Sequence, residues 1–228
     1  MHESMVAENL MAHSGTLFEP EMVKAMCQLV KKDGFWYNMD ATHIELLGLE
    51  FKANHFYDKE LDIDGVKQLA RFLARIVDAK SPFTFHHSEK VALLAKLVAK
   101  DCGISDTDAE LLYVAGLLHD VGKLKTPDLL LHKEGKLTKE EYSIVKRHTV
   151  DTEHTLHRFF PKSVIGEWAS NHHERLDGSG YTFSKQQEQL DLPSSILAVV
   201  DVFQALTQKR PYRGSLSLSE IGDIMQPM

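Results

Sequence analysis

Cysteine is almost missing from this chain. Only Cys27 and Cys102 occur in 228 residues, at no partnered spacing, which excludes a disulfide framework and a thiolate zinc site. Both read as reduced core residues. Positive charge is not in excess either: the net charge of −7 offers no field for wrapping a nucleic acid polymer, so a nucleotide ligand would have to be bound locally. Long apolar runs are absent. The longest aliphatic stretch, Ile196 to Val200, is far too short to span a bilayer. Met1-His-Glu-Ser4 has neither the basic nor the apolar stretch of a secretion signal, and the expectation is a cytoplasmic protein. No strand-rich block, repeat or low-complexity tract is present. What the chain has in plenty is histidine, 13 of them, together with a hydrophobic fraction of 43% that supports a proper core.

The apolar pattern is helical almost throughout, so the expected fold class is all-α, a helical bundle. Pro20 opens a helix carrying Val23, Met26, Cys27 and Val30 on one side, with Gly34 and the aromatic group Phe35-Trp36-Tyr37 after it. Residues 41 to 62 fit a helix or a short extended piece equally well. From Gly65 an amphipathic helix runs through Leu69, Phe72, Leu73, Ile76 and Val77 until Pro82 breaks it. The next spans His87 to Asp101, with Val91, Leu94, Leu97 and Val98 inward. Leu111 to Leu118 leads into His119-Asp120, and Gly122 reads as the helix C-cap. Thr126 to Leu137 reads as a loop. Thr138 and Glu141 form a capping box for a helix expected to run through Tyr142, Val145 and His148. Pro161 is expected to start a helix ending near His172-His173, Asp177 to Gly180 a flexible loop, and Pro193 the last long helix.

His87, His119, Asp120, His148, His172, His173 and Asp201 fall on different helices of this bundle. Imidazole with carboxylate and no thiolate suits iron, manganese, zinc or nickel. An unpaired carboxylate beside an apolar face is costly, so Asp120 needs a partner; a capping Asp with a packed His is the plain alternative for such a pair. Asp201 interrupts Ile196-Leu-Ala-Val-Val-Asp-Val-Phe-Gln-Ala-Leu206 with no Lys or Arg one turn away, which leaves an ion pair or a metal for it. Adjacent histidines on a helix point about 100° apart, so His172 and His173 serve one ion only where the helix frays. His86, His132, His154 and His157 lack such context and read as surface or packed residues.

His87-Ser-Glu-Lys-Val91, His119-Asp-Val-Gly-Lys123, His148, His172-His-Glu-Arg-Leu-Asp-Gly-Ser-Gly-Tyr181, Asp201 and Arg210-Pro-Tyr-Arg213 together resemble the HD-GYP family. These are metal-dependent phosphodiesterases of bacterial cyclic dinucleotide second messengers, within the HD phosphohydrolases. The resemblance covers about residues 65 to 216. It implies one metal held by His87, His119, Asp120 and Asp201, and a second by the bridging Asp120 with His148, His172 and His173. Two divalent transition-metal ions follow, iron or manganese ahead of zinc or nickel. Such a pair activates water and offsets phosphate charge, with Asp120 and Lys123 as the catalytic side chains. Lys123 would also contact the substrate, with Tyr181, Arg210 and Arg213. Without the resemblance, Lys123 and the two arginines would be ordinary surface charges.

The chain departs from the family pattern twice. Gly-Tyr-Pro reads Gly180-Tyr181-Thr182, and loss of the proline is expected to free the loop. Phe83 stands where some relatives carry a glutamate that holds a third metal, so two ions are expected. The resemblance implies hydrolysis of a 3′,5′-cyclic dinucleotide, cyclic di-GMP first and 3′3′-cyclic GMP-AMP as its rival, to the linear 5′-phosphorylated product. A broader phosphohydrolase and a weakly catalytic dinucleotide receptor are the other readings. No polymer of nucleic acid and no membrane is expected as a partner, while a homodimer or a signalling domain is. Residues 1–62 read as a helical N-terminal extension and 63–228 as the catalytic domain, short at its C-terminal end. Ser14 to Val23 resembles the closing segment of an HD-GYP domain, and residues 14 to about 37 are expected to be the tail of an upstream one; an unrelated helical extension is the alternative. Ser217 and Glu220 form a capping box for a final helix of marginal length.

Overall fold

The computed structural model describes residues 2–31, 61–80, 86–208 and 216–226, and divides the chain into two compact units, 1–60 and 61–228. The aromatic group at 35–37 and the ambiguous stretch before residue 61 lie outside the described residues. No β-strand occurs among the described residues, only two isolated bridges, and the fold is all-α.

The first unit contains α1 (His2–Ala12) and α2 (Pro20–Leu29). No apolar periodicity announces α1. The Glu19 carboxylate accepts from the Met22 amide to cap α2, with Pro20 at its first turn. Val23 and Val30 are buried, Met26 and Cys27 half-buried, on the face that the pattern marks. Cys27 Sγ lies 3.8 Å from the Ala7 carbonyl oxygen on α1.

The second unit is built from α3 (Ile63–Lys80), α4 (His87–Asp101), α5 (Asp106–Leu118), the short α6 (Asp128–Leu131), α7 (Lys139–Lys146), α8 (His148–Phe159), α9 (Ile165–Ser170), α10 (Leu192–Thr207) and α11 (Leu218–Met225). α5 is central: Leu112, Val114, Ala115, Leu117 and Leu118 are buried, with α3, α4, α9 and α10 packed around it. Small residues set the closest crossing. A Cβ on Gly116 would stand 2.7 Å from Ala92 Cα, so α4 can lie this close to α5 only because both residues are small.

That crossing corrects the inward face expected for α4. Val91, Ala92, Ala95 and Ala99 are buried, Leu94 and Val98 are partly so, and Leu97 is exposed. The larger side chains are rotated out because the alanine face makes the close approach. On α3 the same thing happens: Ala70, Ala74 and Val77 are buried, whereas Leu69, Phe72 and Ile76 are exposed. Cys102 is exposed at the end of α4 rather than in the core.

Three element boundaries also move. Gly122 is no C-cap; it lies inside a 3-10 turn, Val121–Lys125, that follows α5 directly. Its real constraint is space, since a Cβ there would collide with the His148 carbonyl and lie 2.7 Å from the Thr152 amide nitrogen on α8. The helix from the Thr138–Glu141 capping box stops at Lys146, and His148 begins α8 instead of ending α7. Pro161 sits in a turn before α9, which starts at Ile165. The last helix, α11, has its Ser217–Glu220 capping box and packs against α10 with Ile221 buried, which offsets its short length.

Candidate metal centre

Each candidate residue reaches one spot from a helix end or a helix middle. His87 is the first residue of α4, His119 is the C-cap that follows α5, and Asp120 is the N-cap of the 3-10 turn behind it. His148 opens α8. α9 gives way to a single 3-10 turn, Asn171–His173, after which the chain turns extended at Glu174. That turn is the fraying that lets neighbouring histidines converge: the His172 and His173 rings are 4.0 Å apart. Asp201 comes from the middle of α10.

Their ligating atoms fall into three groups, of which the one holding Asp120 shares His119 with the second and His172 with the third. His87, His119 and Asp201 place donor atoms within 4.8 Å of one another, as do His148, His172 and His173, and as do His119, Asp120 and His172. His119 Nε2 is 3.3 Å from Asp120 Oδ2, and His148 Nε2 and His172 Nε2 are 3.5 and 3.7 Å from Oδ1. Asp201 Oδ1 lies 3.1 Å from His87 Nε2 and 3.7 Å from His119 Nε2. So Asp201, without a cationic neighbour on its own helix, faces histidines from α4 and α5.

The back side of the rings shows what the front side is for. Nδ1 of His119, His148 and His172 donates to the carbonyls of Gly116, Val145 and Ala169, at 2.8, 2.7 and 2.6 Å. A carbonyl oxygen only accepts, so in the neutral rings the proton sits on Nδ1 and the Nε2 lone pair points into the cluster. His119 Nε2 and Asp120 Oδ1 are buried with no hydrogen-bond partner. Buried polar atoms left without a partner are costly unless a cation joins them. The residues fit a metal centre.

Burial pushes the ring pKa of His148 down to about 4 and that of His173 to about 3, and holds His172 well below its ordinary value. At neutral pH these three rings keep their lone pairs free. For His119 burial also acts downward, but the carboxylates of Asp120 and Asp201 outweigh it and raise the ring to about 9. Burial would lift Asp120; the Lys123 ammonium, then His119 and His148, prevail and keep it ionised. Lys123 Nζ is 2.5 Å from Asp120 Oδ2 and forms an ion pair with the carboxylate.

The Tyr181 loop is anchored, contrary to the expectation of a freed loop. Thr182, at the signature proline position, pairs its hydroxyl with Thr149 Oγ1 and donates to the Lys146 carbonyl at 3.3 Å. Glu174, buried and missed by the sequence reading, accepts from the amides of Phe183 and Lys185 at 2.7 and 3.0 Å. Its only sequence signal is a carboxylate directly after the histidine pair. Tyr181 consequently lies against the His173 ring, centroids 4.6 Å apart. Asp78 was missed too: buried on α3, it accepts from the Ser88 hydroxyl and amide at 2.7 and 3.2 Å, beside His87. His86 is outside the cluster, 3.1 Å from Glu89, and His132, His154 and His157 are exposed. Arg210, Arg213 and Phe83 lie outside the described residues.

The HD domain family model matches residues 71–228. The chain belongs to the HD domain family. Within it, the chain falls in the HD-GYP branch. A Vibrio cholerae serotype O1 protein named 3′3′-cGAMP-specific phosphodiesterase 1 is 48% identical over 93% of this chain and 49% of its own length. The same organism's 3′3′-cGAMP-specific phosphodiesterase 3 is 36% identical over 96% of this chain and 47% of its own length. The chain spans about half the length of these curated relatives. Bd1817, an HDG"Y"P protein from Bdellovibrio bacteriovorus, matches with a TM-score of 0.51 at 18% identity, over 72% of this chain and 62% of that one, a likeness in fold. The HD domain family is metal-dependent, and the His/Asp clusters supply donors for such ions. Among the described residues no helix is long and apolar enough to cross a membrane.

Proposed function

We propose that this HD domain hydrolyses one phosphodiester of a 3′,5′-cyclic dinucleotide, with 3′3′-cyclic GMP-AMP ahead of cyclic di-GMP. The observation that carries the reading is the 48% identity over 93% of this chain to a phosphodiesterase named for 3′3′-cGAMP, joined to a donor set built around Asp120. His87, His119, Asp120 and Asp201 would hold one ion, and Asp120, His148, His172 and His173 a second. Iron or manganese is favoured by the resemblance to the HD-GYP family, since the imidazole and carboxylate donors alone suit zinc or nickel as well. When bound, such ions supply Lewis acidity that activates water and offsets the charge gathering on the phosphate.

The protein's own part is orientation and charge. The carbonyls of Gly116, Val145 and Ala169 fix three imidazoles with Nε2 inward, so little reorganisation is needed on loading. Lys123, on the 3-10 turn behind Asp120, is placed to leave the carboxylate and meet a phosphate oxygen as negative charge builds there. Water's oxygen forms the new bond to phosphorus while the bond to the 3′-oxygen breaks. That oxygen leaves with a proton, giving a linear dinucleotide with a 5′-phosphate and a free 3′-hydroxyl. Arg210 and Arg213 would pair with phosphate or guanine edges.

The test is product analysis by mass spectrometry with manganese- or iron-loaded protein on 3′3′-cyclic GMP-AMP, cyclic di-GMP and cyclic di-AMP. A linear 5′-phosphorylated product from the first, faster than from the others, is expected. No turnover of any cyclic dinucleotide by metal-loaded protein, with hydrolysis of simple phosphate esters retained, would favour the broader phosphohydrolase.

A further inference from the structure

Two tyrosines and a lysine line the rim beside His173, and the metal centre does not use them. Tyr142 and Lys146 lie one turn apart on the same face of α7. Tyr181 comes from the loop across from them. The Tyr142 and Tyr181 rings meet edge-to-face, centroids 6.0 Å apart and planes at 77°. Lys146 Nζ stands 5.2 Å from the centre of the Tyr142 ring and 5.8 Å from that of Tyr181. Among the described residues it forms no ion pair, and its cation contacts there are the two ring faces. Tyr142 is 44% exposed, an unusual waste of aromatic surface beside a deep polar cluster.

The group is held in place from several sides. α7 has its capping box, and the Lys133 ammonium pairs with Glu141 at 2.6 Å. The Thr182 hydroxyl joins the Tyr181 loop to the last carbonyl of α7 and to Thr149 on α8. The Tyr181 ring in turn leans on His173, at 34° between planes. A half-buried cation against two aromatic rings, fixed next to a candidate metal ligand, is matched to a ligand that carries both a flat ring and negative charge.

We propose that Tyr142, Lys146 and Tyr181 form the seat for the half of the substrate that is not being cleaved. A purine would stack on the tyrosines and the second phosphate would pair with Lys146, with Thr182 setting the distance between the two sides. The inference rests on the cyclic dinucleotide reading above. A cyclic dinucleotide has two phosphates, and with one at Asp120 the other must be carried off-centre. Stacking tolerates any base, so the seat supplies affinity while base choice is made elsewhere.

Steady-state kinetics of manganese-loaded protein on 3′3′-cyclic GMP-AMP, with metal content measured for every variant, tests the seat. Tyr142→Leu and Lys146→Gln should each raise KM about tenfold with kcat within about twofold and metal content unchanged. Tyr142→Phe, which keeps the ring, should recover most of the first loss. Lys146→Gln should also flatten the rise of KM with salt, since one phosphate contact is gone. Thr182→Val should raise KM and Thr182→Ser restore it. KM unchanged in both Tyr142→Leu and Lys146→Gln on an active protein overturns the seat and leaves the proposed function standing. A wild-type protein inactive on every cyclic dinucleotide overturns the proposed function, and the seat with it.

Discussion

Gly122 packs onto the backbone of His148 so closely that no side chain fits between them. This contact joins the turn that carries Asp120 to the first residue of α8, and so sets the spacing between the two halves of the candidate metal centre. Gly122→Ala is expected to destabilise the protein by about 2 kcal/mol through overpacking and backbone displacement. Denaturant unfolding checks the first effect. Metal uptake checks the second, because moving His148 should weaken binding even where the variant is folded.

Removal of the shared carboxylate should differ from removal of the peripheral one. Asp120 faces His119, His148 and His172, whereas Asp201 faces His87 and His119. Asp120→Ala should lose both ions and Asp201→Ala mainly one, read by elemental analysis after gel filtration. Equal metal content in the two variants would show that Asp120 does not bridge.

Lys123→Ala should cut turnover about tenfold to a hundredfold while metal content stays as in wild type. The pairing with Asp120 gives the reason for separating the two readouts: a lysine needed only to neutralise the carboxylate would affect loading and not rate.

The metal-free protein should have its greatest stability near the ordinary histidine pKa of about 6.5. Below it, the unfolded chain takes up protons that His148, held at about 4, and His173, held at about 3, refuse when folded. Stability therefore falls as pH drops from there toward 4. Above it the sign reverses, because folded His119, raised to about 9, keeps a proton that the unfolded chain gives up. That contribution is full at low pH and is lost as pH rises through 9. Thermal melts in chelator across this range should show a single maximum. Metal loading should release the His119 proton and so tighten with rising pH up to about 9.

Glu174→Ala should leave the amides of Phe183 and Lys185 without their acceptor and release the Tyr181 loop. An expected cost of about 1–3 kcal/mol in stability would accompany a raised KM. Hydrogen exchange confined to residues 181–185 would separate this effect from general unfolding.

The sequence by itself determined most of the long helices and the donor types of the candidate centre. Apolar periodicity marked the spans of α4 and α10, capping boxes marked α7 and α11, and a carboxylate at Asp201 inside an apolar helix had to find a partner across the bundle. Residue type alone restricted the donors to imidazole and carboxylate. Tertiary structure decided the rest, because the information there is a distance between elements remote in sequence. Gly122 looked like a helix terminator until α8 came to lie on it. Leu97 looked like core until the small faces of Ala92 and Gly116 took the close crossing. His172 and His173 converge because α9 ends in a 3-10 turn there, and periodicity cannot say where a helix frays. Thr182 reads as a missing proline, yet its hydroxyl finds Thr149 and Lys146 only once α7, α8 and the loop have met.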